Sequence, residues 1–177
     1  MRIGIDIDDT ICSTSDIVHE KLDEYAKKMN TDPVCIMNDE NLRFEFFNKN
    51  LVDIYTDVEI KGGARDVIKK LHDKGYEIYL ITARTNGIYN VEEITLKWLN
   101  LNGIVFDKLI MSSYGEGKAK ACLENNIDQM IDDDPLNYKL IRLEGIDCLL
   151  FDDRAKYELK DNYVTSWYQI EKYIKGE

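Results

Sequence analysis

The sequence has few of the residues that define several common classes of protein. Its four cysteines form no C-x-x-C pair, so we expect reduced thiols in the core rather than a zinc site or a disulfide framework. The two histidines, His19 and His72, stand too far apart to suggest a catalytic pair. No apolar run approaches the length of a membrane span. Zinc enzymes, disulfide-rich secreted domains and integral membrane proteins are therefore not expected.

Positive charge is also scarce. The chain has 23 Lys and Arg against 34 Asp and Glu in 177 residues, a formal net charge of −11. Such a charge repels nucleic-acid polymers and anionic membranes, so neither is an expected partner. A small phosphorylated substrate remains possible because a metal ion and a few cations can neutralise charge locally. The first ten residues indicate an acidic strand rather than a signal peptide, and we expect a cytoplasmic protein.

The most informative stretch is the amino-terminal MRIGIDIDDTI. It indicates a buried strand over residues 2–7 that ends in three carboxylates, Asp6, Asp8 and Asp9. Along an extended chain, Asp6 and Asp8 share a face and Asp9 points elsewhere. Two close carboxylates stay ionised together when a cation or a lysine lies between them, and oxygen ligands of this kind suit Mg²⁺. One carboxylate could then act as a nucleophile while the other moves a proton.

The hydrophobic pattern predicts an α/β fold with an insertion after the first strand. Residues 13–30, with Ser13 or Ser15 as the cap, and residues 41–55 have helical spacing, with a break at 31–33. From Ala64 onward, helices and short apolar strands alternate. This predicts a Rossmann-like, mostly parallel sheet with helices on both faces. We expect a core of residues 1–11 and 63–177 and a small helical cap of residues 12–62.

Polar residues follow other predicted strands. Thr82 ends the strand after the first core helix, and its hydroxyl could donate to a phosphate, with Arg84 adding a charged fork. Lys118 opens a helix, a position that the helix dipole does not favour for a cation, although Lys120 is a local competitor and either could be a surface residue. A run of aspartates at 132–134 follows another apolar strand and could complete a Mg²⁺ site, although acidic runs are usually solvated.

In chain order, D-x-D-x-T, Thr, Lys and D-D resemble the four motifs of the haloacid dehalogenase-like hydrolases, a resemblance that spans nearly the whole chain. It implies a phosphatase in which Asp6 is the nucleophile and Asp8 the general acid/base. It implies that Thr82 and Lys118 hold the phosphate. It further implies a Mg²⁺ cofactor bound by Asp6, the main-chain carbonyl of Asp8 and Asp133, with Asp132 ligating less directly or orienting Lys118. The insertion at 12–62 matches the family's cap position.

The stretches IGIDIDDTI, LITARTN, KWLNLNGIVFDKLI and MIDDDP more closely resemble the bacterial branch of the 5'(3')-deoxyribonucleotidases. That resemblance implies a nucleoside monophosphate as substrate. The chain departs from the eukaryotic members of that family. They have Gly-Val where Asp9 and Thr10 stand, and Ser-Pro where Ala83 and Arg84 stand. These departures concern the choice of substrate rather than the phosphatase chemistry.

Substrate contacts are expected from the cap. Its candidates are Tyr55, which lies nearest the return to the core, together with Phe47 and Arg43. An aromatic ring there could stack on a nucleobase. The alternative is that the cap aromatics pack its helices together, as most buried aromatics do.

Two other functions fit part of the sequence. The same chemistry could act on a sugar phosphate or another small metabolite. A receiver-like module, which accepts a phosphoryl group without efficient hydrolysis, also gathers acids, a Thr and a Lys at strand ends. Against it, the chain has a large insertion after the first strand, and the strand before Thr82 ends without an aspartate. The choice of 5' or 3' phosphate and the oligomeric state, including a homodimer, stay open.

Overall fold

The computed structural model of the chain describes residues 1–84, 90–157 and 161–175. The strands in these residues are β1 (Arg2–Ile5), β2 (Glu77–Thr82), β3 (Lys108–Met111), β4 (Gln129–Asp132), β5 (Asp147–Phe151) and β6 (Tyr163–Val164). The helices are α1 (Thr14–Met29), α2 (Pro33–Asn38), α3 (Glu40–Asp57), α4 (Ala64–Asp73), α5 (Val91–Leu101), α6 (Glu116–Glu124), α7 (Pro135–Leu143) and α8 (Trp167–Lys175). Thr85 and Asn86, which close the LITARTN stretch, lie outside the described residues.

The six strands form one sheet in the order β3-β2-β1-β4-β5-β6, and every pairing among them is parallel. The chain builds β2 and β3 on one side of β1 and then crosses to build β4, β5 and β6 on the other. Strand order therefore reverses between β1 and β4, where open α/β sheets bind their ligands, just beyond the carboxyl ends of the strands. This architecture confirms the predicted Rossmann-like α/β fold.

Hydrophobic side chains project from both faces of the sheet, because helices pack against both faces. In β2, Ile78 and Leu80 join a cluster that includes residues of α4, α5 and α8. Ile81 joins a second cluster that includes residues of α6 and α7. A Cβ at Gly4, in β1, would lie 2.6 Å from the sulfur of Met130, so any larger residue there would require the Met130 side chain to shift.

Helices α1, α2 and α3, between β1 and α4, form what we call the three-helix insertion. It has its own apolar cluster, in which the rings of Tyr25 and Phe46 meet edge to face at 5.6 Å. The predicted break at 31–33 separates two helices, but the helix α2 that begins at Pro33 was not predicted. Asp32 caps it by accepting a 2.7 Å hydrogen bond from the main-chain N–H of Val34.

The short edge strand β6 was also not predicted, since two residues give no periodicity. Among the helices of the described ranges, none combines the length and the apolar character that crossing a membrane requires.

Candidate active site

Lys118 joins two buried carboxylates at the carboxyl edge of the sheet. Asp6 follows β1 directly, Asp132 ends β4, and Lys118 lies in the first turn of α6. The Lys118 Nζ donates to Asp6 Oδ1 at 2.7 Å and to Asp132 Oδ2 at 2.8 Å. Burial favours a lower pKa for Lys118, but the attraction of Asp6 and Asp132 outweighs it and raises the pKa above its ordinary value. The lysine is therefore a fixed cation between two acids.

Asp133 brings a third carboxylate to the same point. One oxygen from each of Asp6, Asp132 and Asp133 lies within 4.8 Å of the others. The pKa of Asp6 is raised to about 7, chiefly by burial. The attraction of Lys118 lowers the pKa in part, whereas repulsion from nearby carboxylates raises it. Burial and the charges of Asp6, Asp132 and Asp9 raise that of Asp133 to about 9. Crowded acidic oxygens of this kind are a donor set that fits Mg²⁺, which would favour their ionised forms.

Asp132 and Asp133 have different surroundings. The carboxylate of Asp132 accepts hydrogen bonds at Oδ2 from Lys118, and at Oδ1 from the main-chain N–H of Asp134 (3.0 Å) and from the Asn137 amide (3.1 Å). Asp133 accepts a longer bond, 3.3 Å, from the Thr10 hydroxyl. Both oxygens of Asp132 thus already accept hydrogen bonds within the protein, which leaves Asp6 and Asp133 as the better candidates for holding a metal ion.

Asp8 lines the same cleft as Lys118 and is held by three side chains. The Thr14 hydroxyl donates to its Oδ1 at 2.6 Å, and the Thr82 hydroxyl lies 3.4 Å from its Oδ2. The guanidinium of Arg84 donates to both carboxylate oxygens over 3.0–3.2 Å. The structure thus places Arg84, which the sequence suggested as a phosphate contact, against Asp8 with its side chain fully buried.

Several supporting residues were not found from the sequence. Asn137, in the first turn of α7, bonds Asp132 and also accepts from the main-chain N–H of Gly115 at 3.2 Å, so it joins the start of α6 to the end of β4. The sequence signal for Asn137 was the Asp-Pro pair that starts α7, because a helix that starts there has its first turn beside the end of β4. Thr14 had no comparable signal.

Asp9 is used differently from Asp6 and Asp8. Its backbone has a φ of 56°, in the left-handed region, and its carboxylate accepts hydrogen bonds from the main-chain N–H (2.9 Å) and the hydroxyl of Ser15. The side chain of Ser13, which precedes α1, makes no capping hydrogen bond. Ser13 therefore stands at the N-cap position, as one of the two predicted candidates, but the side chain that satisfies the helix start belongs to Asp9, an acid from the preceding turn.

A cleft of about 310 Å³ separates these acids from the three-helix insertion. Its side nearest the sheet is formed by polar residues that include Asp6, Asp8 and Lys118, and its opposite side is mostly apolar. The apolar side consists of Val18, Phe47, Leu51, Ile54 and Tyr55. Of the predicted substrate contacts, Phe47 and Tyr55 thus line the cleft. Arg43 does not, since it is exposed and donates to the Met37 carbonyl at 2.9 Å.

Solved structures with the same fold are hydrolases. A haloacid dehalogenase-like hydrolase from Streptococcus pneumoniae superposes with a TM-score of 0.72 at 13% identity, over 98% of this chain and 97% of that one. A Bacillus subtilis hydrolase of the same kind, bound to magnesium, gives 0.64 at 15% identity, over 98% and 97%. A candidate phosphoglycolate phosphatase from Lactobacillus delbrueckii gives 0.72 at 14% identity, over 99% and 98%. The chain has the fold of the haloacid dehalogenase-like hydrolases.

Sequence comparison gives a weaker likeness. The chain matches no family profile. It is 25% identical over 127 residues to a protein from Chlorobaculum tepidum described as a candidate 5'(3')-deoxyribonucleotidase. The match covers 70% of this chain and 59% of that protein, so the chain spans about three fifths of the length of this relative.

Proposed function

We propose that the protein is a Mg²⁺-dependent phosphomonoesterase that works through an aspartyl-phosphate on Asp6. The observation that carries the proposal is the pairing of Lys118 with Asp6 and Asp132 at the point where strand order reverses. A buried nucleophilic carboxylate, a fixed cation and a neighbouring acidic donor set are what phosphoryl transfer to an aspartate requires. The fold shared with hydrolases supports the same chemistry.

Asp6 and Asp133, with the main-chain carbonyl of Asp8, would hold the metal ion. When bound, Mg²⁺ supplies positive charge that offsets the negative charge of the phosphoryl oxygens. Lys118 adds a second cation, and the Thr82 hydroxyl donates to a phosphoryl oxygen. These groups reduce the repulsion between a phosphate and the attacking carboxylate of Asp6.

The reaction then has two steps. In the first, a carboxylate oxygen of Asp6 attacks phosphorus, the bond to the leaving oxygen breaks, and Asp8 gives that oxygen a proton. In the second, Asp8 takes a proton from a water molecule, which attacks the aspartyl-phosphate and releases inorganic phosphate and free Asp6. The side chain of Asp8 is 27% exposed, so it can meet both the leaving group and water.

We propose a nucleoside monophosphate as the substrate, with the three-helix insertion acting as the cap. The apolar wall formed by Phe47, Leu51 and Ile54 faces the acidic side of the cleft, and it suits the flat, weakly polar faces of a nucleobase. The weak likeness to a candidate deoxyribonucleotidase agrees with this substrate. A small metabolite phosphate is the second candidate, favoured by the candidate phosphoglycolate phosphatase of the same fold.

The deciding experiment measures phosphate release from nucleoside monophosphates, sugar phosphates and phosphoglycolate. It compares Mg²⁺ with a chelator, and the wild type with Asp6→Asn and Asp73→Asn. Asp73 is an exposed aspartate of α4 paired with Lys69, so its variant controls for the loss of one acid. We expect release to need the metal and Asp6 but not Asp73. Release that survives Asp6→Asn contradicts the mechanism, and labelling by acetyl phosphate without turnover favours a phosphoryl-accepting module.

A further inference from the structure

Arg84 occupies an unusual position for a cation beside an active site. It lies two residues beyond the end of β2, and its side chain has no exposed surface. Its Nε lies 3.1 and 3.2 Å from the two oxygens of Asp8, and its Nη2 lies 3.0 Å from Oδ1. Its Nη1 donates to the hydroxyl of Thr95, on α5, at 3.3 Å. Arg84 is among the residues that line the cleft, but its guanidinium is committed to the carboxylate of Asp8 and has no surface exposed to a ligand.

The face of the same guanidinium is covered by aromatic rings. The ring of Tyr55, near the end of α3, lies 4.3 Å from the guanidinium carbon, and that of Trp98, on α5, lies 5.7 Å away. Both distances are within the range of a cation–π interaction. Trp98 in turn donates from its indole N–H to the carbonyl of Val58 at 2.9 Å, where the three-helix insertion returns to the core. One side chain therefore contacts the acid/base candidate and the insertion together.

Burying an arginine is costly unless its charge and its donors are satisfied. Here the carboxylate of Asp8 supplies the charge, the Thr95 hydroxyl accepts a hydrogen bond, and the ring of Tyr55 covers one face. A planar fork that bonds a carboxylate through two nitrogens fixes the rotation of that carboxylate, which a lysine cannot do. The geometry fits the role of fixing the direction of Asp8 better than that of binding a phosphate.

We propose that Arg84 is a positioning residue, which aims the carboxylate of Asp8 at the leaving-group oxygen and which Tyr55 holds in place from the insertion. The inference rests on the proposed phosphatase function. Arg84 exchanges no proton in the reaction. Asp8 enters the first step protonated and gives that proton to the leaving oxygen as the bond from that oxygen to phosphorus breaks. The carboxylate so formed faces the guanidinium of Arg84 until Asp8 takes a proton from the attacking water in the second step.

A comparison of leaving groups distinguishes a positioning role of Arg84 from a merely structural one. An alkoxide leaving from a nucleoside monophosphate needs a proton from Asp8, whereas p-nitrophenolate, which is a weak base, leaves without one. We expect Arg84→Lys and Arg84→Met to lower kcat about 10²-fold or more for the nucleoside monophosphate, the range of general acid catalysis. For p-nitrophenyl phosphate we expect a loss of less than about 5-fold, with KM unchanged.

Tyr55 gives a second, independent variant in case Arg84→Met does not fold. Tyr55→Phe keeps a ring over the guanidinium, and Tyr55→Leu removes it. We expect Tyr55→Leu to show the same selective loss in kcat for the nucleoside monophosphate, about 10-fold, and Tyr55→Phe, which keeps the ring, to lose less than Tyr55→Leu. Circular dichroism and thermal unfolding of each variant establish that the comparison is made on folded protein.

The possible outcomes separate this inference from the function on which it rests. A wild type that hydrolyses neither substrate overturns the proposed function and the inference with it. An active wild type whose Arg84 variants lose both substrates equally, or whose KM for both rises, overturns the inference alone and returns Arg84 to the role of a phosphate contact. A selective loss for the poor leaving group, shared by Tyr55→Leu, supports it.

Discussion

The Nζ of Lys118 lies 2.7 Å from Oδ1 of Asp6, although 112 positions separate the two residues in the chain. The contact exists because Asp6 directly follows the central strand and α6 begins beside it on the same edge of the sheet. A second contact, 2.8 Å to Asp132, makes the lysine the common partner of two acids that would otherwise repel each other. We therefore expect stability and the proposed catalysis to depend on the same side chain.

Replacing Lys118 with methionine should reduce both properties. Two buried carboxylates lose their counter-charge, and breaking a buried pair in this way costs about 3–5 kcal/mol. We also expect phosphate release to fall by at least about 10²-fold, because a fixed cation at the phosphate is lost. Urea unfolding and steady-state kinetics measure the two effects.

Lys120→Met is the matched control for that variant. Lys120 lies on the same helix, but it is exposed and pairs only loosely, at 3.7 Å, with Glu124. Its replacement should leave the free energy of unfolding within about 0.5 kcal/mol of the wild type and the rate unchanged. Equal effects of the two substitutions would show that the pairing of Lys118 with Asp6 and Asp132 contributes no more to stability or rate than an exposed lysine does.

The stability of the metal-free protein should fall as pH rises above 5. The pKa of Asp6 is raised to about 7 and that of Asp133 to about 9, above the ordinary value of 3.8. Between pH 3.8 and the two raised pKa values, the folded state therefore binds more protons than the unfolded state. This contribution to stability is lost as pH rises through 7 and then 9. We expect a falling Tm from pH 5 to pH 9 in the presence of chelator, measured by scanning calorimetry.

Mg²⁺ should remove most of that pH dependence, because it favours the ionised carboxylates and binds the folded state. Without metal, Asp133→Asn should remove the fall between pH 7 and pH 9 and reduce the fall below pH 7, since it eliminates the higher of the two raised pKa values. A Tm in chelator that rises from pH 5 to pH 9 would contradict the raised pKa values of Asp6 and Asp133.

The sequence allowed the fold and the gathering of acids at the strand ends to be predicted because both leave local signals. Strand patterns place Asp6 and Asp132 at the ends of apolar runs, and parallel strands bring such ends to one edge. The partners of those acids left no such signal. The link from Arg84 to Asp8 spans 76 positions and depends on the rotamer that the packing of Tyr55 and Trp98 selects.

The same reason explains why the side chain that satisfies the start of α1 was not predicted. From local pattern alone, Ser13 and Ser15 are the expected candidates for the start of α1. The left-handed backbone at Asp9 instead turns that carboxylate onto Ser15. Such a turn depends on the path of the chain from β1 into the insertion, and hydrophobic periodicity does not predict that path. The edge strand β6 was missed because its pairing with β5, rather than its own two residues, defines it.

Asn137→Ala should weaken the response to Mg²⁺. The substitution removes the bond to Asp132 and the acceptor for the Gly115 N–H, so the start of α6, and with it Lys118, is held less firmly. Loss of a supporting hydrogen bond of this kind typically costs about 10–100-fold in metal affinity or activity. A Mg²⁺ titration of phosphate release measures it, and Asn100→Ala, on the exposed side of α5, is the control. An unchanged half-saturating Mg²⁺ concentration and rate would show that Asn137 is dispensable.

Phe47→Ala should separate a nucleotide substrate from a smaller metabolite. Phe47 lines the apolar side of the cleft and meets the ring of Phe46 at 5.0 Å, so its position is fixed before a ligand enters. Stacking of a base on an aromatic ring is worth about 1–3 kcal/mol, so KM for a nucleoside monophosphate should rise about 5- to 150-fold. KM for phosphoglycolate or a sugar phosphate should change little, because neither has a ring face to stack. Phe44, on the same helix but 72% exposed, provides the control substitution Phe44→Ala. If Phe47→Ala raises KM for every substrate alike, the ring supports the wall of the cleft and does not select a base.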